Sequence, residues 1–339
     1  MSVFSVNVLQ FRDRPFNIGV KTGEAIQHHS IIKTFEALTK DKIDVVRMRS
    51  IYATYAPHLL EELDGLAQGL DISFSKAAAM FSGYDVPKTE AMGCSAVATP
   101  DYYVRNYDFA PELYDGVFSL VQSEHSYASA GYSLQIVGRH EGVNEKGVVI
   151  GLHFVSNYGY TTGLAPWMAV RMVLDTCSSV DEATVMLKEM PHAACYNFSV
   201  GDNLGNSAVV EATPDKVVVR PGQSSLACAN HFQDALLKSN NRTSIEGSTK
   251  RHNYLDNLED KKRSHEEMFH HFSSVTSPVF FTDYKDLFGT LHTFSYAYSD
   301  ARILTTIAQS SHVLDINFQQ WVKGEDLNVH CLKGFIEDN

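Results

Sequence analysis

The sequence predicts a layered α+β fold in which helices cover antiparallel sheets, and three features lead there. The first ninety residues carry apolar positions at helical spacing. After Gly93 the pattern changes to short β-type runs bounded by turn residues. Two helical segments interrupt those runs before strands resume, with no internal repeat or low-complexity segment anywhere in the chain.

In order, Gly23 to Thr39 places Ile26, Ile31, Ile32, Phe35 and Leu38 roughly on one helical face. A second helix is expected over 43–56, ending before Pro57, followed by His58 to Gly69 and Ser73 to Phe81. The last of these is opened by a Ser cap and is rich in Ala, and Pro87 closes the helical region. The β-type runs are Val117–Gln122, Tyr132–Val137, Val148–Val155, Asn197–Val200, Ser207–Ala212, Lys216–Arg220 and Leu226–Ala229. Leu291–Tyr298 and Ala301–Ala308 form a late hairpin around Ser299-Asp300. Among the strands, helices are expected at Pro166–Cys177, with Pro in its first turn, and at Val180–Met190, capped by Ser179 or Asp181. Two more are expected over 249–258 and 264–272.

At 339 residues and 44% hydrophobic content, the chain can bury one large core or two modest ones. No run of about 18 apolar residues is present, so no membrane span is expected. The start, Met1 to Asn7, lacks a basic region followed by an apolar stretch, which argues for a cytoplasmic protein without a secretory signal. A formal charge of −12 opposes nucleic-acid and anionic-membrane partners. The basic cluster Lys261-Lys262-Arg263 is flanked by Glu259, Asp260, Glu266 and Glu267 and reads as a solvated helix face. Five cysteines without a CxxC pair favour neither a disulfide framework nor a cysteine zinc site. Cys177, Cys195 and Cys228 read as small core residues. His265 and His270 are one residue too far apart for a zinc helix, since five positions turn a helix by about 500°. Gly65-Leu66-Ala67-Gln68-Gly69 lacks the Lys-Ser/Thr of a phosphate loop. No metal and no cofactor are expected. Phe154, Tyr158, Tyr160 and Trp167 read first as core packing and second as the lining of an acyl pocket.

The chemistry concentrates at Cys94. Residues 91–95 read Ala-Met-Gly-Cys-Ser, with Arg105-Asn106-Tyr107-Asp108 shortly after. A thiol attacks a carbonyl only as a thiolate or with a base in reach, and no histidine is tied to Cys94 by sequence. Cutting the Gly93–Cys94 bond would supply a terminal amine, whose ordinary pKa of about 7.7–8.0 suits that task. Gly93 lets the backbone bend and expose its carbonyl to the sulfur. The plainer alternatives are a buried cysteine opening a strand and, for Arg105 and Asp108, a surface ion pair. On a regular strand, positions three apart face opposite sides, so both reach Cys94 only if the chain turns near Asn106.

Gly93-Cys94-Ser95, Arg105-Asn106-Tyr107-Asp108, Gly142-Val143-Asn144-Glu145-Lys146-Gly147 and Ser179-Val180-Asp181-Glu182-Ala183 are followed by Gly201-Asp202 with Gly205, Ala229-Asn230-His231-Phe232, and Ser248 with Arg251. In this order, over residues 94–308, the chain resembles the choloylglycine hydrolase and penicillin acyltransferase group of N-terminal nucleophile (Ntn) hydrolases. The resemblance implies a four-layer αββα sandwich of two antiparallel sheets with an N-terminal helical segment. It divides the chain into a helical lead, 1–93, and a catalytic core, 94–339, as two associated fragments after self-cleavage between Gly93 and Cys94; a higher homo-oligomer is also open. It assigns Cys94 as nucleophile with its freed amine as base, Asp108 to hold that amine, Arg105 against the nucleophile and Asn230 as oxyanion donor. Loss of one such donor typically costs about 3–4 kcal/mol of barrier. The sequence departs from the family at His153, where Asn or Tyr is usual, and at Thr249, where the hydrolase branch has Arg; Arg251 is the available substitute. The interval from Cys94 to Arg105 is shorter than usual. The expected function is a self-processing amidohydrolase or acyltransferase working on a small-molecule linear amide or acyl group through a Cys94 thioester. The alternative is an uncut, catalytically silent relative that binds or supports.

Overall fold

A computed structural model describes residues 2–88, 93–258, 263–285 and 288–336. The lead begins with strand β1 (Ser2–Asp13) and continues through α1 (Pro15–Ile26), α2 (Ile31–Leu38), α3 (Val45–Tyr55), α4 (His58–Gly69) and α5 (Phe74–Phe81). Strands β2 (Gly93–Ala98), β3 (Tyr102–Phe109), β4 (Val117–Ser123), β5 (Ser129–Leu134), β6 (Gly138–Asn144) and β7 (Val149–Ser156) follow. Helices α6 (Pro166–Thr176) and α7 (Val180–Glu189) separate these from β8 (Cys195–Gly201), β9 (Ser207–Ala212), β10 (Val217–Pro221) and β11 (Leu226–Cys228). The chain ends with α8 (Glu246–Asp256), α9 (His265–Ser273), β12 (Thr282–Asp283), β13 (Phe288–Ala297), β14 (Arg302–Ile307), β15 (Leu314–Asn317), α10 (Phe318–Val322) and β16 (Cys331–Ile336).

Among the described residues the strands form two sheets, ordered β10-β9-β8-β7-β6-β5-β4-β1-β16 and β11-β2-β3-β13-β14-β15, with β12 on β13. Helices α6 and α7 cover the outer face of the first sheet, and α8 and α9 that of the second. The inner faces meet through Tyr103 with Ser199 and Tyr132 with Thr305. The result is the four-layer αββα sandwich of two sheets that the resemblance implied. Strands β2, β3, β5, β6, β7 and β8 are buried along their whole length, as strands covered on both faces must be.

Several elements differ from the sequence reading. Residues 2–13 of the lead are not helical but form a strand, with Phe4, Val6 and Val8 buried at period two. This strand lies inside the first sheet, antiparallel to β16 and parallel to β4, so the sheets are not purely antiparallel. The helix expected over Gly23 to Thr39 is two helices, broken at 27–30. Strands β3 and β6 were missed because they carry Arg105, Asn106, Asp108, Arg139, His140 and Glu141, polar residues that the sandwich nonetheless buries. The run Tyr132–Val137 stops at Leu134, where Gln135 and Ile136 turn the chain at φ values of 51° and 66°. Asp115 fixes that turn by accepting from Ile136 N at 2.6 Å. Ser179, rather than Asp181, caps α7. The basic-cluster assignment falls largely on 259–262, outside the described residues.

Lead and core are joined by buried charge. Arg171 on α6 donates to Glu62 on α4 at 2.7 and 3.1 Å and to Asp175 at 2.8 and 3.0 Å, and His58 on α4 meets Asp175 at 2.8 Å. Removing one member of such a set strands the others without a countercharge. We expect Arg171→Met to lower stability by about 3–5 kcal/mol in denaturant titration.

Candidate active site

Cys94 is the second residue of β2, pairs with Tyr107 of β3, and has no solvent exposure. Directly opposed residues share a face, so Tyr107 and its strand neighbour Arg105 lie on the thiol side, between the sheets. Arg105 Nη2 donates to Cys94 Sγ at 3.0 Å and to Leu152 O at 2.5 Å, while its Nη1 donates to Glu141 Oε2. Gly151 makes the room: a Cβ there would stand 2.4 Å from Tyr103 Oη and 2.7 Å from Arg105 Cδ.

Asp108 lies on the opposite face of β3, facing Gly93 across the ladder. The strand is regular at Asn106, so no turn brings the two side chains together. They bracket Cys94 instead, Arg105 at the sulfur and Asp108 beside the Gly93 end of the strand. Thr290 donates to Asp108 Oδ1 at 2.7 Å, and Arg251 Nη1 stands 3.9 Å from Oδ2.

Asn230 and Arg251 address the Cys94 backbone. Cys94 N donates to Asn230 Oδ1 at 2.9 Å; Arg251 donates to Cys94 O at 2.7 Å, Ser95 Oγ at 2.8 Å and Asn230 Oδ1 at 2.9 Å. The Asn230 amide nitrogen, assigned to an oxyanion by resemblance, here donates to Phe154 O at 2.9 Å. His153 is buried on the neighbouring strand β7, with Nε2 at 2.9 Å from Ser199 Oγ and Nδ1 without a hydrogen bond although the Cys94 backbone adjoins it. Burial, aided by Arg105 and Arg251, keeps that imidazole neutral.

The structure thus brings Cys94, Arg105, Asp108, Asn230, His153 and Arg251 into one buried cluster. It adds residues to which the sequence assigned no role. Asn197 donates to Ala229 O at 3.0 Å and His231 O at 2.9 Å, and Ser248 Oγ accepts from Asn230 N at 2.8 Å; together they fix the Asn230 loop. Glu141 and His292 stand behind Arg105, with His292 Nε2 at 3.0 Å from Glu141 Oε2. Ser248 carried a motif signal, whereas Asn197 marked only the start of a β-type run and Glu141 gave none. Among the described residues, no group of three or more His, Cys, Asp or Glu converges as a metal site would need, and no helix is long and apolar enough to cross a membrane.

The Cys94 thiol is pushed up to about 11, chiefly by desolvation, with Asp108 and Glu141 adding to the rise and Arg105 and Arg251 opposing it. The thiol of the uncut chain is therefore neutral at pH 7. Its folded-state value exceeds the reference of 9.0, so stability falls as pH rises between 9.0 and about 11. Burial raises Asp108 against the opposing pull of Arg251 and Thr290. Burial would also raise Glu141, but His292 and Arg105 overcome this and lower it.

An apolar cavity of about 90 Å³ opens on the thiol side of β3, lined by Phe109, Leu113, Leu134 and Trp167 of the core with Phe35 and Val86 of the lead. Phe109 is two residues beyond Tyr107, about 7 Å along the strand. Of the aromatics expected at a pocket, Trp167 lines this one, Phe154 packs on Tyr196, and Tyr158 is exposed.

A family profile described as acyl-coenzyme A:6-aminopenicillanic acid acyl-transferase matches residues 97–312, a span that starts just after Cys94 and includes Arg105, Asp108, Asn230 and Arg251. Solved structures with similar folds include a mutant conjugated bile acid hydrolase from Clostridium perfringens, at 16% identity and a TM-score of 0.47, covering 73% of this chain and 97% of that one. Penicillin V acylase from Agrobacterium tumefaciens is 16% identical, with a TM-score of 0.41 and coverage of 70% and 81%. The Caenorhabditis elegans ortholog of N-acylethanolamine-hydrolyzing acid amidase is 14% identical, with a TM-score of 0.40 and coverage of 60% and 93%. No curated protein matches the sequence.

The charges around the sulfur give a signed expectation for peptide-resolved alkylation of Cys94 against pH. Arg105→Met should move its titration above the wild-type midpoint, and Asp108→Asn should move it below.

Proposed function

Because the chain belongs to the acyl-coenzyme A:6-aminopenicillanic acid acyl-transferase family, we propose that it cuts itself before Cys94 and then cleaves or forms a linear amide through a Cys94 thioester. The observation that carries this reading is the double address of one residue: Arg105 Nη2 is 3.0 Å from Sγ, and Asn230 Oδ1 is 2.9 Å from the backbone nitrogen of Cys94. A structural cysteine needs neither contact.

In the self-cleavage, Sγ attacks the Gly93 carbonyl, the C–N bond breaks and the thiol proton passes to the departing nitrogen, moving the acyl group from nitrogen to sulfur. Water then hydrolyses the thioester, leaving a Gly93 carboxylate and a Cys94 that holds both a thiol and an α-amine. Asn230 Oδ1, already bonded to that nitrogen, keeps the amine in place, with Asp108 as the adjacent negative charge. The amine takes the thiol proton, which is the base the uncut chain lacks. The thiolate, held by Arg105, attacks the substrate carbonyl; the departing amine takes up a proton, and a thioester remains for water or an acceptor amine.

Two donors serve the developing oxyanion. Asn230 Nδ2 exchanges Phe154 O for it, and His153 offers Nδ1–H, since Ser199 and its neighbour Tyr103 let Nε2 act as acceptor. The cavity beside Phe109 takes an apolar acyl group, because its lining is mainly hydrocarbon and aromatic, with Lys88 and Gln135 as its polar members.

Intact mass under denaturing conditions tests the first step. We expect two fragments, 1–93 and 94–339, which co-migrate under native conditions because β1 sits between β4 and β16. A single 37.7 kDa species in an active preparation would overturn the mechanism. Cys94→Ala should remain uncut and inactive, whereas an active variant would point to another nucleophile. Short acylated amino acids, penicillin V and conjugated bile acids, scored for released amine, separate an enzyme from a silent relative.

A further inference from the structure

Behind the nucleophile lies a hydrogen-bonded chain with a single consistent direction. Tyr114 Oη meets His292 Nδ1 at 2.6 Å, and His292 Nε2 meets Glu141 Oε2 at 3.0 Å. Burial, with a contribution from Arg105, keeps His292 neutral despite Glu141. A neutral imidazole has one donor and one acceptor nitrogen. A carboxylate oxygen only accepts, so Nε2 carries the proton and Nδ1 accepts from Tyr114. Glu141 Oε2 then receives both His292 and Arg105 Nη1, and Arg105 turns its other nitrogen to Cys94 Sγ. All five residues are buried, and Tyr132 stacks on the His292 ring at 3.8 Å.

The strand that delivers His292 is irregular at this point. In β13, Thr290 opposes Asp108 and His292 opposes Tyr107, so Leu291 is an extra residue in the ladder. Without it, positions 290 and 292 would face the same side. With it, Thr290 serves Asp108 on the outer face while His292 reaches Glu141 between the sheets. A bulge that re-aims a side chain beside a reactive centre is a recurring use of this irregularity.

We propose that Glu141 and His292 are positioning residues for the Cys94 reaction, acting through Arg105, and that the bulge at Leu291 allows one strand to support both Arg105 and Asp108. This rests on the reading of Cys94 given above. Arg105 has several rotatable bonds, and a guanidinium without an anchor would not hold one nitrogen on the sulfur. Glu141 Oε2 holds Nη1, which leaves Nη2 on the sulfur, and His292 fixes that same carboxylate oxygen. Displacement of a reacting group by about 1 Å can cost on the order of 100-fold in rate.

The groups that set the Cys94 thiol are Arg105, Asp108, Arg251 and Glu141, with the neutral His153 and Tyr107 beside them. Glu141 therefore has two effects of opposite sign: its charge disfavours the thiolate, while its geometry favours attack. The full-length variants Glu141→Gln, His292→Gln and His292→Leu separate these effects. Cys94 alkylation by iodoacetamide is followed against pH, and cleavage at 93–94 against time by intact mass. Glu141→Gln should shift the alkylation titration to lower pH yet slow cleavage by roughly 10- to 100-fold. His292→Gln keeps a donor and should retain more of the cleavage rate than His292→Leu. A residue that only supports the fold would not lower the thiol titration while slowing the reaction. Unchanged titration in Glu141→Gln, or equal cleavage rates in the two His292 variants, overturns the proposal. If Glu141→Gln does not fold, the His292 pair decides. If the wild type stays uncut, self-processing falls, and the direction of the Glu141→Gln titration shift still decides the carboxylate's effect on the thiol.

Discussion

A guanidinium with no solvent exposure must find its hydrogen bonds and its countercharge inside the protein, and Arg105 finds them on both sheets at once. It rises from β3 in one sheet and ends on Glu141 and Leu152 O in the other. Stranding either charge of such a pair typically costs about 3–5 kcal/mol, so the sheets are held at a spacing that keeps the contact. The same spacing sets the sulfur against the second guanidinium nitrogen. Gly151 belongs to this constraint, because any side chain there would occupy the path of Arg105. The pairing of two sheets and the geometry at Cys94 are therefore one structural problem with one solution.

Once the interior is polar, other polar groups follow. Buried backbone and side-chain groups need partners, and several short motifs of the sequence supply them. Asn144 ties its turn to the end of α6 by donating to Leu174 O and Cys177 O, both at 2.8 Å. Asp202 accepts from Val180 N at 3.0 Å, joining the β8–β9 hairpin to the start of α7. Glu211 accepts from Gln233 N and Asp234 N, at 3.0 and 3.1 Å, just after the Asn230 loop. Asn144 and Asp202 belong to motifs that carry the family resemblance, yet their work is to hold loops and helix ends. Motifs with a structural duty can recur across a fold even where substrates differ.

That division explains what could be read from the chain alone. Cys94, Arg105 and Asp108 were legible because a thiol, a cation and an anion fall within fifteen residues and two adjacent strands. Arg251 and Asn230 were legible only through their motifs, since neither is near Cys94 in sequence. Glu141 was not legible: it precedes a glycine-rich turn and looks like a surface acid until β6 is known to be buried. His292 depends on the bulge at Leu291, which no local pattern announces. Arg105 and Asp108 face opposite sides, as a regular strand requires, and no turn near Asn106 is needed because Cys94 offers two targets, a side-chain sulfur on one face and a backbone nitrogen in the strand itself. Strand β1 differs again, because Phe4, Val6 and Val8 alternate plainly, yet the long helical stretch that follows dominates the pattern of the segment.

Desolvation keeps the Cys94 thiol neutral, and the charges around it form two pairs, Arg105 with Glu141 and Arg251 with Asp108, that do not overcome it. Each cation that would stabilise a thiolate is partly offset by its own anion, and desolvation decides the remainder. Activation must then come from a group the pairs do not already balance. Under the proposed mechanism the freed α-amine is that group, since a basic nitrogen can take the sulfur's proton without a permanent charge being buried beforehand. On that mechanism the site would stay quiet until the backbone is cut, because its charges are already paired and cutting would add a basic nitrogen on the same residue as the sulfur.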